Sequence, residues 1–249
     1  MKIIVNGAGG RMGKEVINLA KNGFRGAELV TGVDINAQQN TDFRCCTNWK
    51  DVKENADCIV DFSNHAGTAS LLAYAVSKKM PVVIATTGHT DREILMIKEA
   101  SKQIPIFWSA NMSLGVALLV ELAKVAAKTM PDADIEIIEK HHNRKLDAPS
   151  GTALMIANAI KKVRDKARLV FGRYGQTKRG KDEIGIHAVR MGNIVGEHEV
   201  LIGTDNETIT IKHEAHNRAL FAEGALAAAS FSITKPAGLY SMQDMIEIM

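Results

Sequence analysis

What this sequence lacks narrows its class before any motif is considered. Only three cysteines occur in 249 residues, two of them the adjacent pair Cys45 and Cys46. That is too few for a disulfide framework, and no paired CxxC ligand set exists, so the expected compartment is reducing, namely the cytoplasm. No apolar run approaches the length of a membrane span. The opening Met1-Lys2-Ile3-Ile4-Val5 runs straight into a glycine turn and is too short for a signal-peptide apolar region. Nor is there a surplus of one charge: the formal net charge is +3, with Lys and Arg spread along the chain. Nucleic acid is therefore not an expected partner, and a small anionic substrate fits better. With 46% hydrophobic and 24% charged residues there is no argument for disorder, and the length allows two modest domains.

What is present alternates. Short runs rich in Ile and Val at 2–6, 28–33, 57–62, 81–85 and 104–108 are separated by amphipathic stretches at about 11–22, 66–79 and 90–102. Strands that are apolar throughout suit a parallel sheet covered on both faces, so residues 1–112 are expected to form a doubly wound α/β domain of Rossmann type. After Asn111 the pattern changes. Ser113 is a plausible N-cap for a helix over Leu114–Met130, apolar on most of its surface and expected to lie buried between layers. A strand near 134–140 and a helix from Ser150 to Arg164 come next. Alternating segments at 184–190, 194–202 and 207–213 then read as an antiparallel sheet. Residues 113–217 are expected to form a second, α+β domain. The Ala-rich helix near 218–232 and the tail to residue 249 are expected to pack back on the first.

Val5-Asn6-Gly7-Ala8-Gly9-Gly10-Arg11-Met12-Gly13 follows the first strand and opens the first helix, the context a dinucleotide phosphate loop requires. Gly7 permits a tight turn and Gly9 and Gly10 let backbone N–H groups approach a pyrophosphate. Gly13 lets helix and strand pack closely, and the helix dipole favours the anion. Ala8, Arg11 and Met12 belong to the same loop, and Arg11 adds a side-chain charge. Asp34 ends the second strand, where a carboxylate can accept from an adenosine ribose, although an Asp there is often only a turn residue. Ile35, Asn36 and Ala37 offer no charge for a 2′-phosphate, so this point favours NADH, while Arg11 or Arg44 could still reach such a phosphate. Later strand ends carry Asp61-Phe62-Ser63, Ala85-Thr86-Thr87-Gly88 and Ser109-Ala110-Asn111-Met112-Ser113. Each can line a nicotinamide. The Thr-Thr-Gly segment is equally a loop with hydroxyl caps, and the Asn111 amide can serve a nicotinamide or a loop backbone.

The densest group of ionisable residues runs from Glu136-Ile137-Ile138-Glu139-Lys140-His141-His142-Asn143-Arg144-Lys145 to Leu146-Asp147-Ala148-Pro149-Ser150-Gly151-Thr152-Ala153. Histidine has a reference pKa near neutrality, the range a general acid needs, which makes His141 and His142 candidates, and Lys145 is a cation that a desolvated pocket could tune into a proton donor. Ser150, Gly151 and Thr152 begin a helix whose free N–H groups and hydroxyls suit a carboxylate, or simply cap that helix. A metal site and a charged surface loop are the bland alternatives. The spacing does not supply a closed tetrahedral ligand set, so no metal is expected.

This segment resembles the signature of the 4-hydroxy-tetrahydrodipicolinate reductase family, and residues 136–153 satisfy it at every place. Gly7 to Gly13, Asp61-Phe62-Ser63, Thr86-Thr87-Gly88, Asn111 to Val116, Arg190 to His198 and Gly238-Leu239-Tyr240 match the family in order. The resemblance implies that His141 and Lys145 are catalytic, exchanging protons with the substrate. His142, Lys145, Ser150, Gly151 and Thr152 would hold the carboxylates of a small cyclic dicarboxylate. It further implies hydride transfer from NADH or NADPH with loss of water in lysine biosynthesis, without a metal, and an open mixed sheet in the second domain that builds a homotetramer. Ala85 stands where the family often has Gly, and Asn143 where a basic residue is common. Two competing readings share the cofactor domain: another Rossmann dehydrogenase with an unrelated substrate, and a non-catalytic NAD(H) sensor, which would not need the proton donors or the carboxylate cradle. Hinges for movement of the two domains are expected near Asn111 and Asn217.

Overall fold

A computed structural model describes residues 1–36 and 43–246. Ala37 of the adenosine region lies outside the described residues. In chain order the elements begin β1 (Lys2–Asn6), α1 (Arg11–Lys21), β2 (Glu28–Val33), β3 (Cys45–Cys46), β4 (Cys58–Asp61), α2 (Thr68–Lys78), β5 (Val82–Ile84), α3 (Asp91–Ser101) and β6 (Pro105–Trp108). They continue with α4 (Leu114–Thr129), β7 (Asp134–His141), α5 (Gly151–Lys161), β8 (Arg168–Phe171), β9 (Glu183–Arg190), β10 (Gly196–Gly203) and β11 (Thr208–Ala215), and end with α6 (Ala219–Ser232), β12 (Gly238–Tyr240) and α7 (Met242–Ile246). Two compact units result, one made of Met1–Leu114 with Arg218–Met249 and the other of Gly115–Asn217.

In the first unit seven strands lie in the order β12-β6-β5-β4-β1-β2-β3, every neighbouring pair parallel. Strands that read as continuous apolar runs are buried on both faces, as a helix-covered parallel sheet requires. Ile4, Ile59, Val82, Ile84 and Ile106 pack with Leu71 and Leu72 of α2 and Ile97 of α3 on one face. Phe107 points the other way, edge-on to Phe231 of α6. The capping box of α3, in which Thr90 and Glu93 satisfy each other's backbone N–H, fixes where that helix starts. Two strands escaped the sequence pattern. β3 is only two residues long, below any detectable period, and β12 is recruited to the β6 edge from the far end of the chain.

The second unit is a five-stranded sheet in the order β11-β10-β7-β9-β8, with α4 and α5 packed on one face through Leu119, Val120, Ile156 and Ile160. Here the expected antiparallel triplet is corrected. β10 and β11 do form an antiparallel hairpin, but β9 sits on the opposite side of β7 and runs parallel to it. Alternation of apolar and polar residues marks a half-buried strand without saying which neighbour it joins. The helix α4 also departs from expectation: Val116, Leu119, Val120 and Ala123 are buried, whereas Leu118, Leu122 and Val125 remain exposed. Among the described residues only one of its apolar stripes is covered.

Candidate active site

Reversal of strand order between β1 and β4 opens a crevice at the carboxyl ends of the strands, the place where open α/β sheets bind nucleotides. A cavity of 1270 Å³ occupies it, lined among others by Gly7, Gly10, Asp34, Ile35, Trp49, Lys50, Phe62, Ser63 and Tyr74. Gly7 has φ +79°, and a Cβ there would lie 2.6 Å from the Phe62 carbonyl oxygen. A Cβ at Gly13 would collide with the Gly7 carbonyl. These two glycines are therefore demanded by the approach of β4 and α1 to the turn. The Gly7 N–H bonds the Val33 carbonyl at 2.8 Å, which leaves the N-terminus of α1 facing the cavity. Arg11 is exposed there, while Ala8 and Gly13 are buried.

Asp34 already accepts hydrogen bonds, from the Gly9 N–H and the Asn36 N–H, each at 2.9 Å. It thus has the turn role, and it also stands on the cavity wall. Arg44 is committed to Glu54 at 2.7 Å and to the Asp51 carbonyl. Lys50 is the basic side chain among the described lining residues. Beneath the cavity the Asp61 carboxyl is buried, receiving Asn6 Nδ2 at 2.7 Å and the Ser63 hydroxyl at 2.6 Å. Burial raises its pKa above the ordinary carboxylate value, against the lowering by these neutral donors.

The other candidates sit at the ends of β5 and β6. Ala85 and Thr86 are buried and Thr87 is exposed. Ser109 accepts from the Asn111 N–H and donates to the Asn111 carbonyl, Ala110 is exposed, and Met112 is buried. A Cβ on Gly224 of α6 would strike the Met112 carbonyl, so this turn is pressed against the helix. The Asn111 Oδ1 accepts the Ser113 N–H at 2.9 Å, which is the loop-backbone alternative. None of Ala85, Thr86, Thr87 or 109–112 lines the cavity that holds Gly7 and Asp34.

In the second unit the dense segment forms the end of β7 and the loop to α5. Alternation puts Ile135, Ile137, Glu139 and His141 on the helix-covered face, all of them buried. His141 Nδ1 stands 2.5 Å from Glu139 Oε2, and its ring meets His198 edge-on with centroids 5.2 Å apart. Burial raises the Glu139 pKa, but hydrogen bonds from His141, Arg190 and the Ser150 N–H outweigh it and hold the carboxyl at about 2. His198 is pushed down to about 4 by burial and by the neighbouring His141. Its Nε2 is 2.9 Å from the Ser150 hydroxyl, which also accepts the Ala153 N–H as the N-cap of α5. Lys145 pairs with Asp147 at 2.8 Å, and this interaction lowers the Asp147 pKa. The His142 N–H bonds the Ile194 carbonyl, and nothing lies within 4 Å of a Cβ built on Gly151. Ser150, Gly151 and Thr152 thus form the first turn of α5 beside His141. Among the described residues no group of three or more His, Cys, Asp or Glu side chains could hold a metal ion, and no helix is long and apolar enough to cross a membrane.

Three participants were not singled out from sequence as site residues: Glu139, Arg190 and His198. The first was legible in principle, because a residue two positions before a strand histidine shares its face. The others arrive from β9 and β10 through pairing that sequence spacing does not encode.

Comparison with known proteins agrees with this architecture. The family models described as dihydrodipicolinate reductase, N-terminus and C-terminus, match residues 1–112 and 115–246 respectively. The chain is 51% identical to the 4-hydroxy-tetrahydrodipicolinate reductase of Caldanaerobacter subterraneus subsp. tengcongensis, covering 99% of this chain and 98% of that one. It is 45% identical to the enzyme so named from Clostridium tetani, over 99% and 97% of the two chains. A solved dipicolinate-bound dihydrodipicolinate reductase from Paenisporosarcina sp. TG-14 superposes with a TM-score of 0.84 at 25% identity, over 98% of this chain and 99% of that one. With the two family models matching in succession along nearly the whole chain, and the Gly7 turn at the sheet's switch point, the chain belongs to the dihydrodipicolinate reductase family.

Proposed function

We propose that this chain catalyses the 4-hydroxy-tetrahydrodipicolinate reductase reaction, converting 4-hydroxy-tetrahydrodipicolinate to tetrahydrodipicolinate with loss of water in the diaminopimelate route to lysine. The observation that carries the reading is the close association, at one end of β7, of buried His141, the Lys145 loop and the first turn of α5. A dicarboxylate needs cationic and N–H donors, and hydride addition to a conjugated imine needs one proton; this cluster offers both. Lys145 and His142, with Ser150, Gly151 and Thr152, hold the carboxylates, and substrate competes with Asp147 for the Lys145 ammonium. His141 exchanges the proton at Nε2, and Lys145 serves as the second donor.

Residues 1–112 with 218–249 form the nucleotide domain, and residues 113–217 form the substrate and oligomerisation domain. A reduced nicotinamide dinucleotide, when bound, supplies the hydride. Gly7, Gly9, Gly10, Arg11 and Met12 receive its pyrophosphate, Asp34 its adenosine ribose, and the 85–87 and 109–112 segments its nicotinamide. The cavity fits the pyrophosphate and ribose part of that assignment, since glycine at 7 and 13 is forced by backbone contacts and the α1 terminus faces the space. Asp34 favours NADH, and Lys50 gives NADPH a cation to meet, so both are used with NADH preferred. The chain assembles as a homotetramer through the second domain; exposed strand β11 and the Leu118, Leu122 and Val125 stripe support association of copies.

Oxidation of NADH and NADPH is followed with substrate made enzymatically from pyruvate and aspartate semialdehyde. Substrate-dependent oxidation that collapses in His141→Ala is expected and ranks the cofactors. Nucleotide binding without oxidation would transfer the reading to a sensor or to another dehydrogenase. Sedimentation of the full chain as a monomer would remove the tetramer.

A further inference from the structure

Glu139 is fully buried on the covered face of β7, yet it is ionised. A carboxylate in that state only accepts hydrogen bonds, so each polar contact to it identifies a donor. Its Oε2 receives His141 Nδ1 at 2.5 Å and Arg190 Nη1 at 2.8 Å. Its Oε1 receives Arg190 Nη2 at 2.6 Å and the Ser150 N–H at 3.0 Å. Two consequences follow. First, His141 must carry a proton on Nδ1 in both of its charge states, so the nitrogen that gains and loses a proton is Nε2. Second, the two oxygens of one carboxylate tie together the proton-exchanging ring and the N-cap residue of α5, whose first turn is the carboxylate cradle.

We infer that Glu139 is a positioning residue that selects the Nδ1–H tautomer of His141 and holds it in register with the α5 cradle, with Arg190 as the clamp that keeps the carboxylate in place. This rests on the catalytic reading of His141 given above.

The surroundings agree on one direction of charge. Arg190 Nη2 also bonds the Asp147 carbonyl at 2.6 Å, so the loop bearing Lys145 is tied to the same clamp. His198, across from His141, is held neutral, and its Nε2 can accept the Ser150 hydroxyl proton while that hydroxyl accepts from Ala153. Of the two adjacent rings only His141 has a carboxylate as its hydrogen-bond partner. A Cβ on Gly196 would lie 3.1 Å from His141 Nε2, so the absent side chain at the start of β10 leaves the exchanging nitrogen accessible. Orientation is thus set from the Nδ1 side and access from the Nε2 side. In turnover the Nε2–H bond breaks, the proton passes to the reduced substrate, and the imidazole regains it from solvent. Setting the part-buried Arg190 against the buried Glu139 is not needed for stability, since such an ion pair contributes little net; fixing a tautomer is a role an apolar pair could not perform.

The test uses the full-length protein labelled with nitrogen-15 histidine, with His141 assigned by its loss in His141→Gln. In the wild type the neutral His141 ring is expected as the Nδ1–H tautomer, with a strongly downfield Nδ1 proton. The Nε2–H tautomer would overturn the inference outright, and this reading needs neither substrate nor turnover, so it stands apart from the fate of the proposed reaction. Glu139→Gln is then expected to lower kcat between roughly 10² and 10⁴-fold while leaving the nucleotide KM within about twofold. The alkaline limb of kcat/KM should move down by about one pH unit, because the anion that favours the imidazolium is gone. Dipicolinate binding should weaken as the cradle loses its tie. Gly196→Ala keeps the Nδ1 proton signal and lowers kcat. An unmoved pH limb and unchanged tautomer in a folded Glu139→Gln protein would assign Glu139 to stability alone.

Discussion

Two buried carboxylates lie at or near the carboxyl ends of central strands of the two units, and they behave oppositely. Asp61, at the end of β4, is surrounded by the neutral donors Asn6 and Ser63, and burial prevails to raise its pKa. Glu139, on β7, meets a guanidinium fork and an imidazole, and these overcome burial and hold it at about 2. Neutral hydrogen bonds satisfy a carboxyl's geometry without repaying the loss of water around its charge, whereas charged donors do both. Asp61 therefore fixes Asn6 and Ser63, which line the switch-point cavity, and Glu139 holds a negative charge beside a histidine.

The comparison can be broken most forcefully at Arg190. Arg190→Ala leaves the Glu139 charge buried and uncompensated, and a loss of about 3–5 kcal/mol in folding stability is expected from urea unfolding. A loss under about 1 kcal/mol would show that water or His141 replaces the fork. Next in size is Lys145→Ala, expected to lower kcat/KM roughly 10²-fold with a rise in substrate KM, since it removes a proton donor and a carboxylate contact together. Initial-rate kinetics identical to wild type would exclude Lys145 from the site. In the other unit Asp34→Ala should shift the NADH to NADPH ratio of kcat/KM by about tenfold toward NADPH, one lost ribose interaction being worth about 1–2 kcal/mol.

The smallest expected effect, and the one that sharpens the comparison most, concerns acid. Glu139 has a folded pKa of about 2 against an ordinary value of 4.5, so its contribution is complete above 4.5 and is lost as pH falls toward 2. His198, lowered from 6.5 to about 4, binds its proton more readily when unfolded, so stability also declines from pH 6.5 down to 4. Asp61, with a raised folded pKa, has the opposite sign: its contribution is present in acid and lost as pH rises. Asp61→Asn should therefore leave neutral-pH stability within about 1 kcal/mol of wild type, the amide retaining the site's hydrogen bonding. Glu139→Gln should flatten the fall in Tm below pH 4.5, where the wild-type Glu139 contribution declines. Equal pH profiles for both variants would remove the distinction drawn between the two carboxylates.

Legibility from sequence followed the range of the interactions. The turn from Gly7 to Gly13 was readable because its demands are local: a positive φ at Gly7 and a helix start within a few residues. The Ile- and Val-rich strands were readable because both their faces are buried, and the start of α5 because Ser150 caps it. β3 was not, since two residues carry no period, and β9 was assigned to the wrong neighbour because alternation specifies a face and not a partner. The same limit hid the chemistry around His141.

What the sequence determined by itself is the inventory and its local placement: a glycine-rich turn after the first strand, and a His, a Lys and a helix cap close together in one segment. Tertiary structure alone decided that Arg190 from β9 and His198 from β10 would close on Glu139 and Ser150. These partners are 51 and 48 residues apart in the chain. Pairing across a sheet is chosen by the burial of whole faces, a property no local segment possesses, and so the charge that orients His141 exists only once the fold has formed.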